Sequence, residues 1–157
     1  MKKTRFLKEL IEKNSLKISR PNKQISNTYG KKSENSLKAS KILLENNLIE
    51  ESVTMSYYSM YHKATCLLRY CGIKCENHKA TIILLTDLFK IETKLLQHAK
   101  DKRILNQYKT DFSSEKHDAV KLIKQTEEFI AKIDFYIDLL TSEDLKDLIE
   151  ILKEKVF

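Results

Sequence analysis

One uninterrupted stretch, from Ile49 to Gly72, limits most strongly what this chain can fold into. It contains no Pro, and its only Gly is the last residue, so nothing inside it breaks a helix. Because a helix that is apolar on two sides must be covered by neighbouring helices, the stretch predicts the central helix of a bundle, ended by Gly72. Its two apolar or aromatic sides carry Val53, Tyr57, Met60, Tyr61, Ala64, Leu67, Leu68 and Cys71, and Met55, Tyr58, His62, Thr65, Cys66 and Arg69.

The remaining chain repeats the helical periodicity in shorter segments. It has only two Gly and one Pro in 157 residues, and no run alternates cleanly between apolar and polar residues, so we expect no strands. The predicted fold class is all-α, an up-and-down antiparallel helical bundle of four to five core helices with short terminal helices. Besides the central helix, the predicted helices are 4–13, 33–46, 78–91, 93–108, 115–140 and 143–155.

The breaks between these helices follow from Gly, Pro and Asn. Residues 14–30 hold one Pro, one Gly and three Asn with little apolar content, so we expect a loop there. Asn46 and Asn47 predict a tight connection that pairs the helices on either side antiparallel. Asn77 and Ser114 are predicted to cap the helices that follow them, and residues 109–113 are predicted to form a turn.

Positive charge is concentrated in the first part of the chain. Residues 1–41 contain twelve Lys or Arg and three Glu, a net charge of +9, and the remaining 17 basic and 19 acidic residues give −2. A basic segment attracts polyanions such as nucleic acid. The alternative is an ordinary solvated surface, because Lys outnumbers Arg 25 to 4. We expect one domain over residues 1–157, in which residues 1–33 form a basic helix-and-linker extension.

Composition argues against several other classes of protein. No apolar run approaches the ~20 residues that cross a bilayer, and the basic start lacks an apolar leader segment. Together with an odd number of cysteines, this predicts a cytoplasmic protein that does not associate with a membrane. Cys66, Cys71, Cys75 and His78 are metal-ligand types, but Cys66 and Cys71 diverge by roughly 140° around one helix. We therefore expect no metal and no other cofactor.

One side of the central helix could line a binding cleft. Tyr58, His62 and Arg69 recur along it at helical spacing, and together they could read a phosphate or a base. The alternative is that His62 and the tyrosines are core residues whose hydrogen bonds are satisfied within the bundle.

Several segments, taken in order, resemble a HEPN domain, particularly its short stand-alone prokaryotic branch. These are SLKASKILLENN, SYYSMYHKATCLLRYCGI and NHKATIILL, all within 36–89, and later KDKRILNQYKTDF and SSEKHDAVKLIKQTEEFIAKI. The Tyr57–Tyr58 pair, His62, Gly72 and His78 fall where that branch has them. The resemblance covers roughly residues 34–135.

The resemblance carries expectations about partners and chemistry. It implies a bundle that forms a homodimer and acts with a minimal nucleotidyltransferase, in some relatives as a toxin–antitoxin pair, with RNA or a nucleotide as ligand. In relatives that are ribonucleases, an Arg is followed after four to six residues by a His. The His transfers a proton, the Arg stabilises the phosphate, and no metal takes part.

This sequence lacks that His. The matching arginine is Arg103, and Tyr108 stands where the His would fall after four intervening residues; a tyrosine, with a pKa near 10, is a poor base. We therefore expect a nucleotide- or RNA-binding HEPN partner protein that does not cleave RNA, with no residue assigned as catalytic. One alternative is an endoribonuclease that uses His62 or His78 as an unusual base, and another is a structural homodimer without a ligand. The predicted binding groove comprises Tyr58, His62, Arg69, Arg103, Asn106 and Tyr108.

Overall fold

A computed structural model describes residues 2–110 and 113–156 of the chain, and it confirms the all-α bundle. The regular structure in these residues is seven helices and one short two-stranded sheet. In chain order the elements are α1 (Lys2–Glu12), β1 (Leu16–Ile18), α2 (Lys23–Glu45), α3 (Ile49–Tyr70), β2 (Ile73–Cys75), α4 (His78–Asp87), α5 (Lys94–Tyr108), α6 (Lys116–Leu139) and α7 (Ser142–Val156).

Helix α3 is the central element, as its sequence predicts. It is covered by α2, α5 and α6, and the small sheet lies at its carboxyl end. Its apolar side chains Val53, Tyr57, Met60 and Leu67 are fully buried. Because α3 is enclosed on several sides, any polar side chain that it carries must find a partner inside the bundle or remain available to a ligand.

Serines join α2 to α3 in what we call the serine seam: Ser26, Ser33, Ser40, Ser52, Ser56 and Ser59, all buried. The Ser33 hydroxyl donates to the Ser59 carbonyl at 2.7 Å, and the Ser59 hydroxyl donates back to the Ser33 carbonyl at 2.8 Å. Ser40 and Ser52 exchange the same two bonds, each at 2.8 Å. The pairing runs in opposite directions along the two helices, so α2 and α3 form the predicted antiparallel hairpin.

The predicted loop over residues 14–30 is wrong. Strand β1 pairs antiparallel with β2, with Leu16 opposite Cys75, and α2 begins at Lys23, ten residues before its predicted start. The Asn22 side chain caps α2 by accepting a hydrogen bond from the backbone N–H of Ile25 at 2.9 Å. Packing of Ser26 and Ser33 against α3 keeps the chain helical through Gly30, which overrides the weak helix propensity of this segment.

Two turn predictions are confirmed, one is wrong and one cannot be assessed. Gly72 follows α3 with φ of 81°, and a Cβ there would lie 2.5 Å from the Ser19 carbonyl oxygen, so only Gly fits. Asn77 caps α4 by accepting from the Ala80 N–H at 3.0 Å. Ser114 does not cap α6, because its hydroxyl donates to the Asn106 side chain instead. The predicted turn over 109–113 includes residues 111 and 112, which lie outside the described residues.

Candidate functional site

Arg103, on α5, lies against two tyrosine rings of α3. Its guanidinium carbon is 5.2 Å from the centre of the Tyr57 ring and 5.7 Å from that of Tyr58, close enough for the rings to attract the charge. Its Nη1 atom donates a hydrogen bond to the Tyr58 hydroxyl at 3.1 Å. Among residues 2–110 and 113–156, no carboxylate forms a salt bridge with it. The positive charge of the half-buried guanidinium is therefore not paired with a carboxylate of the described chain.

His78, the first residue of α4, is held against α3 by two further contacts. Its Nδ1 atom is hydrogen-bonded to the Tyr57 hydroxyl, and the Tyr61 ring stacks on the imidazole with centres 3.9 Å apart. Burial lowers the pKa of His78, and the nearby Arg103 charge lowers it further. His78 is therefore mainly neutral at neutral pH.

His62 follows Tyr58 by one turn of α3 and faces α2. The centre of its ring is 6.1 Å from that of Tyr58 and 6.1 Å from that of Tyr29 on α2. Burial lowers the pKa of His62, and the positive charge of Lys32 on α2 contributes to the shift. This histidine, too, is mainly neutral at neutral pH.

These side chains form one group, which we call the Arg103 cluster: Tyr57, Tyr58, Tyr61, His62, His78 and Arg103. Two of its buried polar atoms, Nε of Arg103 and Nδ1 of His62, have no hydrogen-bond partner within the described part of the chain. Native proteins rarely leave buried polar atoms unpaired, so each such atom calls for an explanation. Both such atoms found in the described chain lie in this one cluster.

A groove of about 340 Å³ runs beside Arg103, between α3 and α5. The Asn106 side chain donates to the Glu50 carbonyl at 3.2 Å and accepts from the Ser114 hydroxyl at 3.2 Å, which fixes one wall. Among the described residues that line the groove, two carry a carboxylate, Glu50 and Glu51, and one, Arg103, carries a positive charge. We call it the α3–α5 groove, and its lining is Glu50, Glu51, Thr54, Met55, Tyr58, Arg103, Asn106 and Gln107.

The fold brings together four of the six residues that the sequence singled out. Tyr58, Arg103 and Asn106 line the α3–α5 groove, and His62 stacks on Tyr58. Arg69 lies near the carboxyl end of α3, away from the groove. At that end the pKa of the Glu76 carboxyl is lowered, mainly by Lys74 and to a smaller extent by Lys17 and Arg69. Tyr108 is the last residue of α5, 73% exposed, and does not line the groove.

The sequence pattern places Tyr57 and Tyr61 in the core and predicts a loop around Tyr29. The core assignment of Tyr57 holds, since it is fully buried, but its hydroxyl is also the partner of His78. Tyr57 and Tyr61 are one turn apart on α3, and this spacing is the sequence feature from which their place beside each other in the site could be predicted. No comparable sequence feature indicates Tyr29, because its position in the site depends on α2 beginning before Gly30, at Lys23.

The three cysteines are separate buried thiols rather than a metal site. All of them are free, and burial raises the pKa of Cys71 to about 12, so this thiol stays protonated. Residues 2–110 and 113–156 contain no group of three His, Cys, Asp or Glu side chains that could hold a metal ion. None of the helices described has the length and apolar character to cross a membrane.

Comparison with known protein families identifies the family to which the chain belongs. The profile of the HEPN domain matches residues 26–136, more than half of the chain. The chain belongs to the HEPN domain family. All residues of the Arg103 cluster lie inside the matched range, so the cluster is part of the HEPN domain itself.

One relative of this HEPN protein carries a functional name. It is a protein of Methanocaldococcus jannaschii named "Putative toxin MJ0605". The two sequences are 28% identical over 107 residues, which is 64% of this chain and 79% of the relative.

The HEPN site combines three chemical capacities. Its guanidinium can bind a phosphate group, and its tyrosine rings can stack on bases. Its two neutral histidines can accept a proton. The residue that follows Arg103 after four intervening positions is the exposed Tyr108, and the histidine of α5, His98, precedes the arginine and lines a different pocket.

Proposed function

We propose that this HEPN protein binds the phosphate of an RNA or a nucleotide at Arg103, does not cleave it, and acts as the partner of a minimal nucleotidyltransferase in a toxin–antitoxin-like module. The observation that carries the proposal is the Arg103 guanidinium, which is aligned by two tyrosines, has an unpaired Nε and forms no salt bridge with a described carboxylate. A guanidinium in that state is suited to a ligand with phosphate oxygens.

Absence of cleavage is inferred from what surrounds the arginine. Metal-independent cleavage needs a base near the 2′-hydroxyl whose pKa is close to the working pH. Tyr108 is exposed beyond the groove, and His78 already uses Nδ1 in its bond to Tyr57. The chain therefore retains the phosphate-binding arginine without the histidine of the ribonuclease motif.

The partner is inferred from family membership and from the relative. Many HEPN proteins of the branch that this sequence resembles act with small nucleotidyltransferases, and the Methanocaldococcus jannaschii relative is named "Putative toxin MJ0605". Copurification of the chain with a nucleotidyltransferase encoded beside it would support the partnership. A chain that elutes alone when the two are coexpressed would contradict it.

The test of the binding proposal measures affinity and cleavage in the same samples. Single-stranded RNA, transfer RNA and mononucleotides are mixed with purified protein in excess EDTA, and wild type is compared with Arg103→Ala and Arg103→Lys. We expect intact RNA throughout and binding that Arg103→Ala weakens about tenfold or more, because charge-assisted hydrogen bonds contribute about 1.5–3 kcal/mol. Equal binding by wild type and Arg103→Ala would contradict the proposal, and no saturable binding by either protein would favour a structural dimer without a ligand.

A second candidate function, metal-independent endoribonuclease, is favoured by one specific observation. His62 and His78 lie in the same cluster as Arg103, and burial lowers the pKa of both, so they are in the base form at neutral pH. Cleavage in EDTA that rises with pH through the range below 6.5 and is lost in His62→Ala or His78→Ala would establish this function. RNA that stays intact at every pH would exclude it.

A further inference from the structure

The two ends of the α3–α5 groove carry opposite charges. Asn106 of α5 donates to the Glu50 carbonyl near the start of α3, and Arg103 donates to a tyrosine hydroxyl, that of Tyr58, two turns further along. The carboxylates of Glu50 and Glu51 therefore line one end of the groove, and the guanidinium lines the other. The ends are about 10 Å apart, because Glu51 and Tyr58 are separated by seven residues of one helix.

The carboxylates at the first end are not paired with a cation of the described chain. Neither Glu50 nor Glu51 forms a salt bridge with a Lys, Arg or His in residues 2–110 and 113–156. The Asn106 amide beside them is already bonded to the Glu50 carbonyl and to the Ser114 hydroxyl. An ionised carboxylate only accepts hydrogen bonds, so this end of the groove favours a ligand that donates them.

The same carboxylates also have a role in the helix. Glu50 and Glu51 lie in the first turn of α3, and its cap residue, Leu48, makes no side-chain hydrogen bond. Negative charges stabilise the positive end of a helix whether or not a ligand is present. That role concerns stability and predicts no preference between ligands, so ligand selectivity is the quantity that separates the two roles.

The size of the groove limits the ligand. Its volume of about 340 Å³ is near the lower end of the roughly 300–1,000 Å³ of small-molecule sites. Thr54 and Met55 line the middle, where the flexible thioether can pack on the flat face of a base. A second phosphate at the Glu50 end would be repelled. The groove therefore suits one nucleotide, with its phosphate at Arg103 and an uncharged group that donates hydrogen bonds at the carboxylates.

We propose that the α3–α5 groove selects a guanine nucleotide, free or as one unit of an RNA, with its phosphate at Arg103 and its base edge on Glu50 or Glu51. This inference rests on the proposed function and names the base that the function leaves open. Guanine carries two adjacent donors, N1–H and the N2 amino group, which match the two oxygens of one carboxylate. Adenine and cytosine place an acceptor nitrogen beside their amino group, and uracil places a carbonyl on each side of its N–H. Each of these bases would set a lone pair against a carboxylate.

The first experiment measures the affinities of GMP, IMP, AMP, CMP and UMP for the wild-type protein by calorimetry, in EDTA and at constant salt. We expect GMP to bind about fivefold or more tightly than AMP, CMP and UMP, because a good bidentate pair discriminates between bases by at least that factor. IMP lacks the N2 amino group and should bind more weakly than GMP. Guanosine, which lacks the phosphate, should bind about tenfold or more weakly than GMP.

A pair of matched variants tests the carboxylates. Glu50→Gln/Glu51→Gln should reduce the preference for GMP over AMP to less than about twofold, because an amide offers a donor beside its acceptor. Glu12→Gln/Glu128→Gln removes the same two charges from exposed positions outside the groove and should keep the preference. Thermal unfolding of all three proteins establishes that each is folded when the affinities are compared.

Short RNAs identify the source of the nucleotide. We compare GMP with a hexamer of uridines and with the same hexamer in which one uridine is replaced by guanosine. A guanosine-containing hexamer that binds about tenfold or more tightly than GMP supports recognition within an RNA. Equal affinities of this hexamer and GMP, both above that of the uridine hexamer, support a free nucleotide.

The failure of this inference differs from the failure of the proposed function. If all five nucleotides bind equally and Arg103→Ala weakens each of them, the selection of guanine is wrong and the phosphate site stands. A preference that appears only with Mg²⁺ would assign Glu50 and Glu51 to a cation and would overturn the inference as well. If no nucleotide or RNA binds, or Arg103→Ala has no effect on any of them, both are wrong.

Discussion

The two sides of α3 differ in whether their buried polar groups have hydrogen-bond partners. Toward α2, every hydroxyl of the serine seam has a partner, and the bonds between Ser33 and Ser59 and between Ser40 and Ser52 are reciprocal. On the side that carries the Arg103 cluster, Arg103 of α5 and His62 of α3 each retain a buried nitrogen without a partner in the described chain. The hydroxyls of the first side are therefore satisfied within the fold, and the second side is the one at which we propose that a ligand binds.

The difference also appears in the size of the side chains. Small serines let the backbones of α2 and α3 approach closely, so any enlargement there must move a helix. The other side carries large rings and a guanidinium, and Tyr58 and Arg103 among them line the α3–α5 groove. Substitutions on the two sides should therefore affect different measured quantities.

The largest expected effect is on stability, from Ser40→Leu. The substitution introduces a branched side chain into a fully buried site and removes the partner of the Ser52 and Ser56 hydroxyls. Overpacking and unsatisfied polar groups each cost about 1–3 kcal/mol, so we expect a loss of about 3 kcal/mol in the free energy of unfolding. Urea denaturation measures it. Lys38→Leu, exposed on the same helix, is the control and should change stability by less than about 0.5 kcal/mol.

Arg103→Met should leave the free energy of unfolding within about 1 kcal/mol of wild type. Methionine keeps an unbranched stem against the tyrosine rings and removes a half-buried charge that has no described salt-bridge partner. Thermal and urea unfolding of the two proteins test this. A loss as large as that of Ser40→Leu would mean that Arg103 serves the fold, and the comparison between the two sides would fail.

Acid should destabilise the protein through the Arg103 cluster. Burial lowers the pKa of His62 and His78 below the ordinary value of 6.5, so between the folded and unfolded pKa values the unfolded chain binds more protons. Stability is then complete above about pH 6.5 and is lost as pH falls through the lowered values. Urea unfolding at intervals between pH 8 and pH 5 measures this, and His62→Gln should flatten the curve. Histidine titration by NMR with pKa values at or above 6.5 would contradict the prediction.

The smallest expected effect is on thiol reactivity. All three cysteines are buried, and burial raises the pKa of Cys71 and Cys75, so the reactive thiolate is scarce. We expect no reaction with a thiol reagent on native protein and three equivalents after denaturation. Rapid labelling of native Cys66, which contacts Ser26 in the seam, would show that α2 separates from α3 more readily than its hydrogen bonds suggest.

The sequence was informative wherever local pattern decides the structure. The periodicity of residues 49–72 predicts α3, the Asn46–Asn47 break predicts the antiparallel hairpin of α2 and α3, and Asn77 is predicted to cap α4. The start of α2 was not predictable in this way, because Gly30 and the asparagines argue for a loop and only contacts with α3 keep the segment helical. Strand β1 was not predictable either, because three residues show no periodicity and their partners in β2 lie 55 to 59 residues further along the chain.

The candidate site was predictable in part. Tyr58 and His62 share a helix side, and Arg103 and Asn106 are one turn apart on α5, so their grouping follows from spacing once the two helices pack together. The contact of Tyr57 with His78 and the position of Tyr29 depend on how α4 and α2 approach α3. No spacing within one helix encodes those approaches.

The central claim is that the unsatisfied side of α3 binds RNA and the satisfied side does not. Its most direct test is the affinity of Arg103→Met and of Ser40→Ala for the same single-stranded RNA, measured with both variants folded. We predict a loss of about tenfold or more for Arg103→Met and a change of less than twofold for Ser40→Ala. Equal affinities for the two variants would contradict the account.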